Sequence, residues 1–280
     1  ITLQPDFNKD SYLGKFDQIK AHLQRGDIYE VTFCQTFSAK TKKLAPLKVF
    51  SNLMRKSKAP FSCFVYHNQK YLLCASPERF LKRSGNTLLS QPIKGTAPRS
   101  ENKMEDDNLK IQLRESKKEQ SENVMIVDLV RNDLSRVALK NSVTVKELFG
   151  IYSFPSVHQM ISSIEAEIAK DCKMSTIIKA LFPMGSMTGA PKISAMQIIE
   201  AQEDFRRGLF SGAVGYIAPN GDFDWNVVIR SILYNVVTGD LVCPVGSAIT
   251  LKADAEAEYQ ECMWKLSTLT NVLNGDTKKK

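Results

Sequence analysis

The strongest constraint on the fold is the way β-strand patterns are distributed along the 280-residue chain. Short runs rich in β-branched and aromatic residues are grouped toward both ends, and longer helical patterns fill the middle. A hairpin signal, Pro219-Asn220-Gly221, separates two of the C-terminal strand patterns. Because strands joined by hairpins are antiparallel, we predict an α+β fold rather than alternating βαβ units.

Periodicity and the positions of Gly and Pro predict the individual elements. Strands are expected at 28–37, 62–66, 71–76, 80–83, 87–91, 213–218, 222–233 and 241–249. Helices are expected at 16–24, 105–131, 174–181, 193–203 and 253–273. Since no repeat or low-complexity linker interrupts the chain, we interpret residues 1–280 as a single domain.

The composition argues against several classes of function. With 43% hydrophobic and 24% charged residues and no apolar run of about 20, the chain is expected neither to span a membrane nor to be disordered. The net charge of +8 comes from Lys and Arg spread along the sequence, which argues against nucleic acid binding and suits a small dianion. Residues 278–280 are interpreted as a solvated basic tail. Six cysteines without a CxxC pair, and a start without a secretory signal, favour reduced thiols in the cytoplasm.

Two pairs of glutamates are candidates for holding a cation. Glu119 and Glu122 are three residues apart, and so are Glu258 and Glu261. On a helix this spacing places two carboxylates on one face, so two such helices could direct four of them at one Mg²⁺. Without a cation, two charges about 4 Å apart repel by roughly 4 kcal/mol at an effective dielectric of about 20. The alternative is that all four are ordinary exposed helix carboxylates.

Lys94, in the segment PIKGTAPR, is the candidate nucleophile. Its amine would need a pKa about three units below the usual value near 10.4 to be largely free at neutral pH, and burial could supply that shift. The alternative is a solvated surface lysine. Ser186 lies in a second segment, FPMGSMTGAPK, whose hydroxyls and backbone N–H groups suit an anion but do not match a phosphate-binding loop.

Two further polar residues, His158 and Arg230, stand in apolar segments. A core histidine with satisfied hydrogen bonds is the commoner explanation for the first. An arginine within an apolar strand needs an acidic partner, and a ligand carboxylate would serve as well as a protein one.

Taken in order, these segments resemble the chorismate-binding family, whose members include anthranilate, aminodeoxychorismate and isochorismate or salicylate synthases. The resemblance rests on GDIYEVTFCQ, SPERFL, PIKGT, ENVMIVDLVRNDLSRVA, FPSVHQM, FPMGSMTGAPK, GAVGYI and AEAEYQE. It implies one chorismate-binding catalytic domain over residues 1–280, an anthranilate synthase component I-like β-sheet sandwich flanked by helices with a shortened N-terminal region. The sequence departs from the family pattern at Glu30, where relatives usually have glutamine, and at Ser247 and Ala248, which replace glycines.

The resemblance also implies which residues bind metal and substrate. Mg²⁺ would hold the ring carboxylate of chorismate, bound directly by Glu122 and Glu261 and through water by Glu119 and Glu258. The residues implied to hold the enolpyruvyl carboxylate are Arg230, Tyr216 and the backbone of Gly246, Ser247 and Ala248. Those implied to line the ring are Gly95, Thr96, His158 and Ser186.

The residue that divides the family is Lys94, because members that form 4-amino-4-deoxychorismate have lysine there and anthranilate synthases typically have alanine. By resemblance, Lys94 attacks C2 of chorismate while Glu78 protonates the departing C4 hydroxyl. Ammonia from a separate glutaminase subunit, a glutamine amidotransferase, then enters at C4, and the product serves para-aminobenzoate and folate synthesis. The alternatives are an anthranilate synthase component I and a chorismate-binding subunit without turnover.

Overall fold

The computed structural model describes residues 1–275; the predicted tail at 278–280 lies outside the described residues. The chain forms two compact units, each with its own antiparallel sheet and helices. The first unit comprises Ile1–Pro77, Thr188–Gly212 and the described residues from Val228 on, and the second comprises Glu78–Met187 and Ala213–Val227. The single-domain interpretation stays a prediction, whereas the α+β class is confirmed.

The first unit is built on a seven-stranded sheet whose strands come from three separate parts of the chain. They are β1 (Gln4–Pro5), β2 (Glu30–Lys40), β3 (Phe61–His67), β4 (Lys70–Ser76), β10 (Gly189–Ala190), β13 (Ser231–Asn235) and β14 (Asp240–Thr250). The order across the sheet is β1-β2-β14-β13-β4-β3, and β10 also pairs with β2. The longest ladder therefore joins β2 to β14, from opposite ends of the chain.

Four helices belong to the first unit: α1 (Lys9–Arg25), α2 (Pro46–Ser57), α6 (Lys192–Gln202) and α7 (Ala255–Leu273). Helix α1 starts at Asn8, whose side chain accepts a hydrogen bond from the Ser11 N–H, and ends at Gly26 in the left-handed conformation. Its stripe of Tyr12, Phe16, Ile19 and Leu23 packs in a core with Val31 and Phe33 of β2. A second core packs α2 and α7 against β4 and β14.

The second unit has another seven-stranded sheet and three helices. Its strands are β5 (Arg79–Ser84), β6 (Thr87–Gln91), β7 (Ile93–Pro98), β8 (Thr144–Ser153), β9 (Val157–Glu167), β11 (Gly215–Ile217) and β12 (Phe223–Asn226). Its helices are α3 (Lys103–Glu115), α4 (Lys117–Ser135) and α5 (Met174–Leu181). The strand order is β11-β12-β5-β6-β9-β7, with β8 also paired to β9. The hairpin predicted at 219–221 is confirmed, since it joins β11 to β12.

Two predictions were wrong: a helix and a strand that the apolar pattern indicated as continuous are each divided into two elements. The helix expected at 105–131 is two helices, because Ser116 leaves the helical conformation and its hydroxyl accepts a hydrogen bond from the Glu119 N–H at the start of α4. The strand expected at 222–233 is also two elements, β12 and β13, which belong to different sheets. Arg230, with φ +51°, lies in the irregular stretch between them.

Within residues 1–275, no helix has both the length and the apolar character that a membrane crossing requires.

We predict that Gly189→Ala destabilises the protein. Gly189 has φ +153°, and a Cβ there would lie 2.1 Å from the carbonyl oxygen of Glu30, so the β10–β2 pairing would have to shift. The free energy of unfolding should fall by more than about 2 kcal/mol. Gly14, exposed within α1 with nothing within 4 Å of such a Cβ, is the control, and Gly14→Ala should add about 0.5–1 kcal/mol. Urea unfolding measures the stability of both variants, and equal stabilities would show that the backbone at Gly189 tolerates a Cβ.

Candidate active site

Glu78, at the start of the second unit, is a buried residue that is only 6% exposed. Desolvation by burial raises its pKa to about 7; the hydrogen bond from Ser186, the positive charge of Lys94 and the hydrogen bond from the Ile93 backbone only partly offset this effect. A carboxyl group with this pKa can hold a proton at neutral pH and release it during a reaction. Glu78 is therefore suited to general acid catalysis.

Strand β7 carries Lys94 close to Glu78. Lys94 is half-buried on this strand, Thr96 is exposed two residues later, and Ser186 lies in a 3₁₀ turn, Gly185–Met187. Gly95 has φ +92°, and a Cβ there would lie 2.9 Å from Oε2 of Glu119, so the glycine lets α4 bring that carboxylate against the strand. The structure thus brings together five predicted residues of the second unit. We call them the Lys94 group: Glu78, Lys94, Gly95, Ser186 and Glu119.

His158 is fully buried, and both of its ring nitrogens are hydrogen-bonded to the protein. Nε2 lies 2.8 Å from Oδ1 of Asp106, and Nδ1 lies 2.9 Å from Oγ of Ser153. Asp106 also accepts two hydrogen bonds from Arg99, at 2.8 and 2.9 Å, and these hold the pKa of its carboxyl well below the usual range. His158 is thus a buried histidine with both ring nitrogens hydrogen-bonded. It lies next to the end of β7, because it pairs with Ala97 across the sheet.

Arg230 and its neighbours form a second group, in the first unit. Its guanidinium lies 5.2 Å from the centre of the Trp264 ring. Burial lowers the pKa of Arg230 to about 10 and the charge of Glu261 opposes this shift, so the guanidinium stays charged at neutral pH. Lys265 Nζ lies 2.6 Å from Oε1 of Glu261 and donates to the Gly246 carbonyl oxygen, also at 2.6 Å. We call these residues the Arg230 group: Arg230, Gly246, Glu261, Trp264 and Lys265.

The remaining predicted substrate-binding residues lie on strands of both units. Gly246, Ser247 and Ala248 pair with β2, and within residues 1–275 the strand β13 pairs with β14 only at Leu241 and Val242. The edge of β14 that faces away from β2 is therefore not paired with β13 at 246–248. Ser247 is 1% exposed, with Oγ 3.5 Å from the Tyr12 hydroxyl. Tyr216, in contrast, is 65% exposed on β11 of the second unit.

The glutamate pairs lie on helices, as the spacing predicted. Glu119 and Glu122 are in the first two turns of α4, and Glu258 and Glu261 are in the first two turns of α7. Glu258 is buried, and Glu261 is paired with Lys265. Among the described residues, no three His, Cys, Asp or Glu side chains are placed to hold a metal ion. The assignment of Mg²⁺ to these four glutamates thus stays a prediction.

Sequence reasoning missed several residues of these networks. No pattern predicts that Arg99 binds Asp106 or that Asp106 binds His158, because the helix start between Arg99 and Asp106 determines the geometry. Lys265 had a usable signal, since it stands four residues after Glu261 on a predicted helix, the spacing of a helical ion pair. Glu30, the departure from the family pattern, is fully buried at the start of β2.

The model of the family described as chorismate binding enzyme matches residues 1–271. This chain belongs to the chorismate binding enzyme family. The match includes every residue of the Lys94 and Arg230 groups. The family resemblance seen in the sequence is therefore confirmed.

Similar proteins and a solved structure support the assignment to this family. The chain is 38% identical over 270 residues to aminodeoxychorismate synthase component 1 of Escherichia coli, covering 96% of this chain and 59% of the relative. It is also 38% identical to aminodeoxychorismate synthase of Streptomyces griseus, and the match covers 95% of this chain and 37% of that relative. Anthranilate synthase component I from Streptococcus pneumoniae has the same fold, with a TM-score of 0.87 at 27% identity, covering 96% of this chain and 59% of that one. The chain thus spans about three fifths of the length of the Escherichia coli protein.

We predict that Glu78 makes the stability of this chorismate binding enzyme depend on pH. Its folded pKa of about 7 exceeds the ordinary 4.5, so its contribution is complete below about pH 4.5 and is lost as pH rises through 7. Relative to Glu78→Gln, the wild-type free energy of unfolding should fall by roughly 3 kcal/mol between about pH 4 and pH 8. Urea unfolding at several pH values measures this difference. Parallel pH curves for the two proteins would show that Glu78 is not desolvated.

We also predict the tautomer of His158. A carboxylate only accepts hydrogen bonds, so Asp106 requires the proton on Nε2 of the neutral ring, and Nδ1 then accepts from the Ser153 hydroxyl. Long-range ¹H–¹⁵N NMR spectra at neutral pH should show the Nε2–H form for His158. Asp106→Ala should abolish this fixed preference, whereas Asp107→Ala, a change to an exposed neighbour, should leave it unchanged. An Nδ1–H ring in the wild type would contradict the network.

Proposed function

We propose that this chain catalyses the amination of chorismate to 4-amino-4-deoxychorismate. The observation that carries the proposal is the proximity of Lys94 to Glu78, a carboxyl group whose pKa is raised to about 7. The 38% identity to aminodeoxychorismate synthase component 1 of Escherichia coli supports it. The product would serve para-aminobenzoate and folate synthesis.

In the first step, the free amine of Lys94 attacks C2 of the ring. The ring double bonds shift, the C4–O bond breaks, and Glu78 gives its proton to the departing hydroxyl, which leaves as water. The buried position of Glu78 suits this role, because at neutral pH an exposed glutamate would already have lost the proton. The step requires Lys94 without its proton and Glu78 with one.

In the second step, ammonia attacks C4 and the bond between C2 and Lys94 breaks. The amine leaves with the bonding electrons, so the nucleophile is regenerated and the enolpyruvyl group remains on the ring. We propose that a glutamine amidotransferase subunit supplies the ammonia, in line with the name component 1 given to the relatives. Free ammonium should replace that subunit in an assay.

The substrate carries two carboxylates, and the Arg230 group is proposed to bind one of them. Arg230 keeps its charge, and its planar guanidinium can donate two parallel hydrogen bonds to a carboxylate. The backbone of 246–248 on β14 could add N–H donors. Mg²⁺ remains the proposed cofactor, and it would neutralise the other carboxylate.

The rival function is anthranilate synthesis, because the chain has the same fold as anthranilate synthase component I from Streptococcus pneumoniae. That reaction releases pyruvate and yields a fluorescent aromatic product, whereas amination at C4 retains the enolpyruvyl group. Lys94 argues against the rival, because anthranilate synthases typically have alanine there. A chorismate-binding subunit without turnover is the third possibility, and it would give neither product.

We predict that Lys94→Ala abolishes amination. The assay contains chorismate, Mg²⁺ and ammonium, and chromatography with mass detection identifies the product. With ammonia omitted, intact-protein mass spectrometry should show a substrate adduct on the wild type and none on Lys94→Ala. The loss of kcat should be at least about 10³-fold, as expected when a covalent nucleophile is removed.

Lys140→Ala is the matched control, because Lys140 is an exposed lysine of the same unit. It should keep full activity and the adduct. Unchanged turnover in Lys94→Ala would rule out covalent catalysis, and pyruvate release by the wild type would establish the rival function.

A further inference from the structure

A small cavity lies on one side of Glu78 within the second unit. Its volume of about 20 Å³ is enough for one water-sized molecule, which needs roughly 10–15 Å³. Chorismate is far too large to enter. Its lining combines apolar residues, including Val130 of α4, with Arg79 and four residues that carry hydrogen-bond acceptors. The four acceptor residues are Glu78, Ser90, Asp133 and Ser186.

These polar walls offer more hydrogen-bond acceptors than donors. Glu78 and Asp133 contribute carboxyl oxygens, and the Ser90 hydroxyl donates its hydrogen to the Phe80 carbonyl oxygen at 2.9 Å, which leaves its oxygen as an acceptor. The Ser186 hydroxyl is hydrogen-bonded to Glu78. Arg79 also borders the cavity, but its guanidinium donates to Asp224 and Gln91.

An acceptor-rich cavity selects its occupant by the number of donors. Water has two O–H donors and two lone pairs, ammonia has three N–H donors and one lone pair, and ammonium has four N–H donors and no lone pair. The carboxyl group of Asp133, and that of Glu78 once it has given up its proton, further favour a cation over a neutral molecule of the same size. We propose that this cavity is the site where ammonium waits before it becomes the nucleophile of the amination. The inference rests on the proposed function, and it assigns the second substrate a site of its own.

Because Glu78 lines the cavity, it can also accept the proton that ammonium must lose before it becomes a nucleophile. After Glu78 has protonated the departing hydroxyl, it is a carboxylate and can take one proton from the ammonium beside it. The resulting ammonia attacks C4, the C4–N bond forms, and the bond from C2 to Lys94 breaks, releasing the neutral amine. The ring then carries –NH₃⁺, water has left, and both Lys94 and Glu78 have returned to their starting forms. No further acid, base or co-reactant is required.

Filling the cavity tests the proposal. Val130→Leu adds one methylene group from the wall, and Val127→Leu makes the same change one turn earlier on α4, at a buried position that does not line the cavity. We expect the KM for ammonium to rise about tenfold in Val130→Leu, the effect of losing one well hydrogen-bonded position. The KM for chorismate should stay within about twofold in both variants, since neither residue belongs to the Lys94 or Arg230 group.

Asp133→Asn is the second variant, and it covers the case in which Val130→Leu does not fold. It keeps the shape of the side chain and replaces an acceptor with a donor, so it too should raise the KM for ammonium selectively. Circular dichroism and thermal unfolding establish which variants are folded. An unchanged KM for ammonium in folded Val130→Leu or Asp133→Asn, or an equal rise in the KM values for ammonium and chorismate, would overturn the proposal.

A binding measurement separates this inference from the proposed function. Wild-type protein in ¹⁵NH₄⁺ without chorismate should give a bound ammonium signal in ¹H–¹⁵N spectra, which Val130→Leu loses and Val127→Leu keeps. If the wild type makes no aminated product but binds ammonium in this way, the proposed function fails and the site stands. If amination occurs but no variant alters ammonium binding or its KM, the function stands and the site is disproved.

Discussion

The pairing of β2 with β14 is the constraint on which the first unit depends. Residues 30–40 and 240–250 pair one to one without interruption, although they come from opposite ends of the chain. A slip of one residue would turn every side chain of a strand to the other face, so the buried Val31 and Phe33 fix the register. That register places Gly246 opposite Cys34, where a Cβ would lie 2.5 Å from the sulfur, and α7 then brings Lys265 to the Gly246 carbonyl.

In the second unit, the proposed role of Glu78 as an acid depends on how completely its carboxyl group is removed from water. Desolvation and the surrounding hydrogen bonds and charge act in opposite directions, and desolvation is the larger effect. Stronger hydrogen bonds or a closer positive charge would return the carboxyl group to its ordinary pKa and leave it without a proton at neutral pH. Lys94 and Ser186 are thus close enough to orient Glu78, but they do not abolish its capacity as an acid.

Local patterns predicted the elements whose signals are self-contained. The helix at 174–181 and the strand at 87–91 were predicted to the residue, and the hairpin at 219–221 was predicted from its turn residues. The pattern missed β9, because Gln159, Ser162 and Ser163 are buried polar residues that break the expected alternation. Their partners come from other elements: Ser162, for example, donates to Asn123 of α4. No window of sequence contains that information.

The sequence by itself determined the fold class, the helical placement of the glutamate pairs and the presence of a lysine at position 94. These follow from residue identity and from spacing within one segment. Only the tertiary structure decided that Glu78 has a pKa of about 7, that Glu119 lies against Gly95 and that His158 is held by Asp106. Burial and close approach depend on atoms that distant segments bring together, and a linear pattern carries no record of those distances.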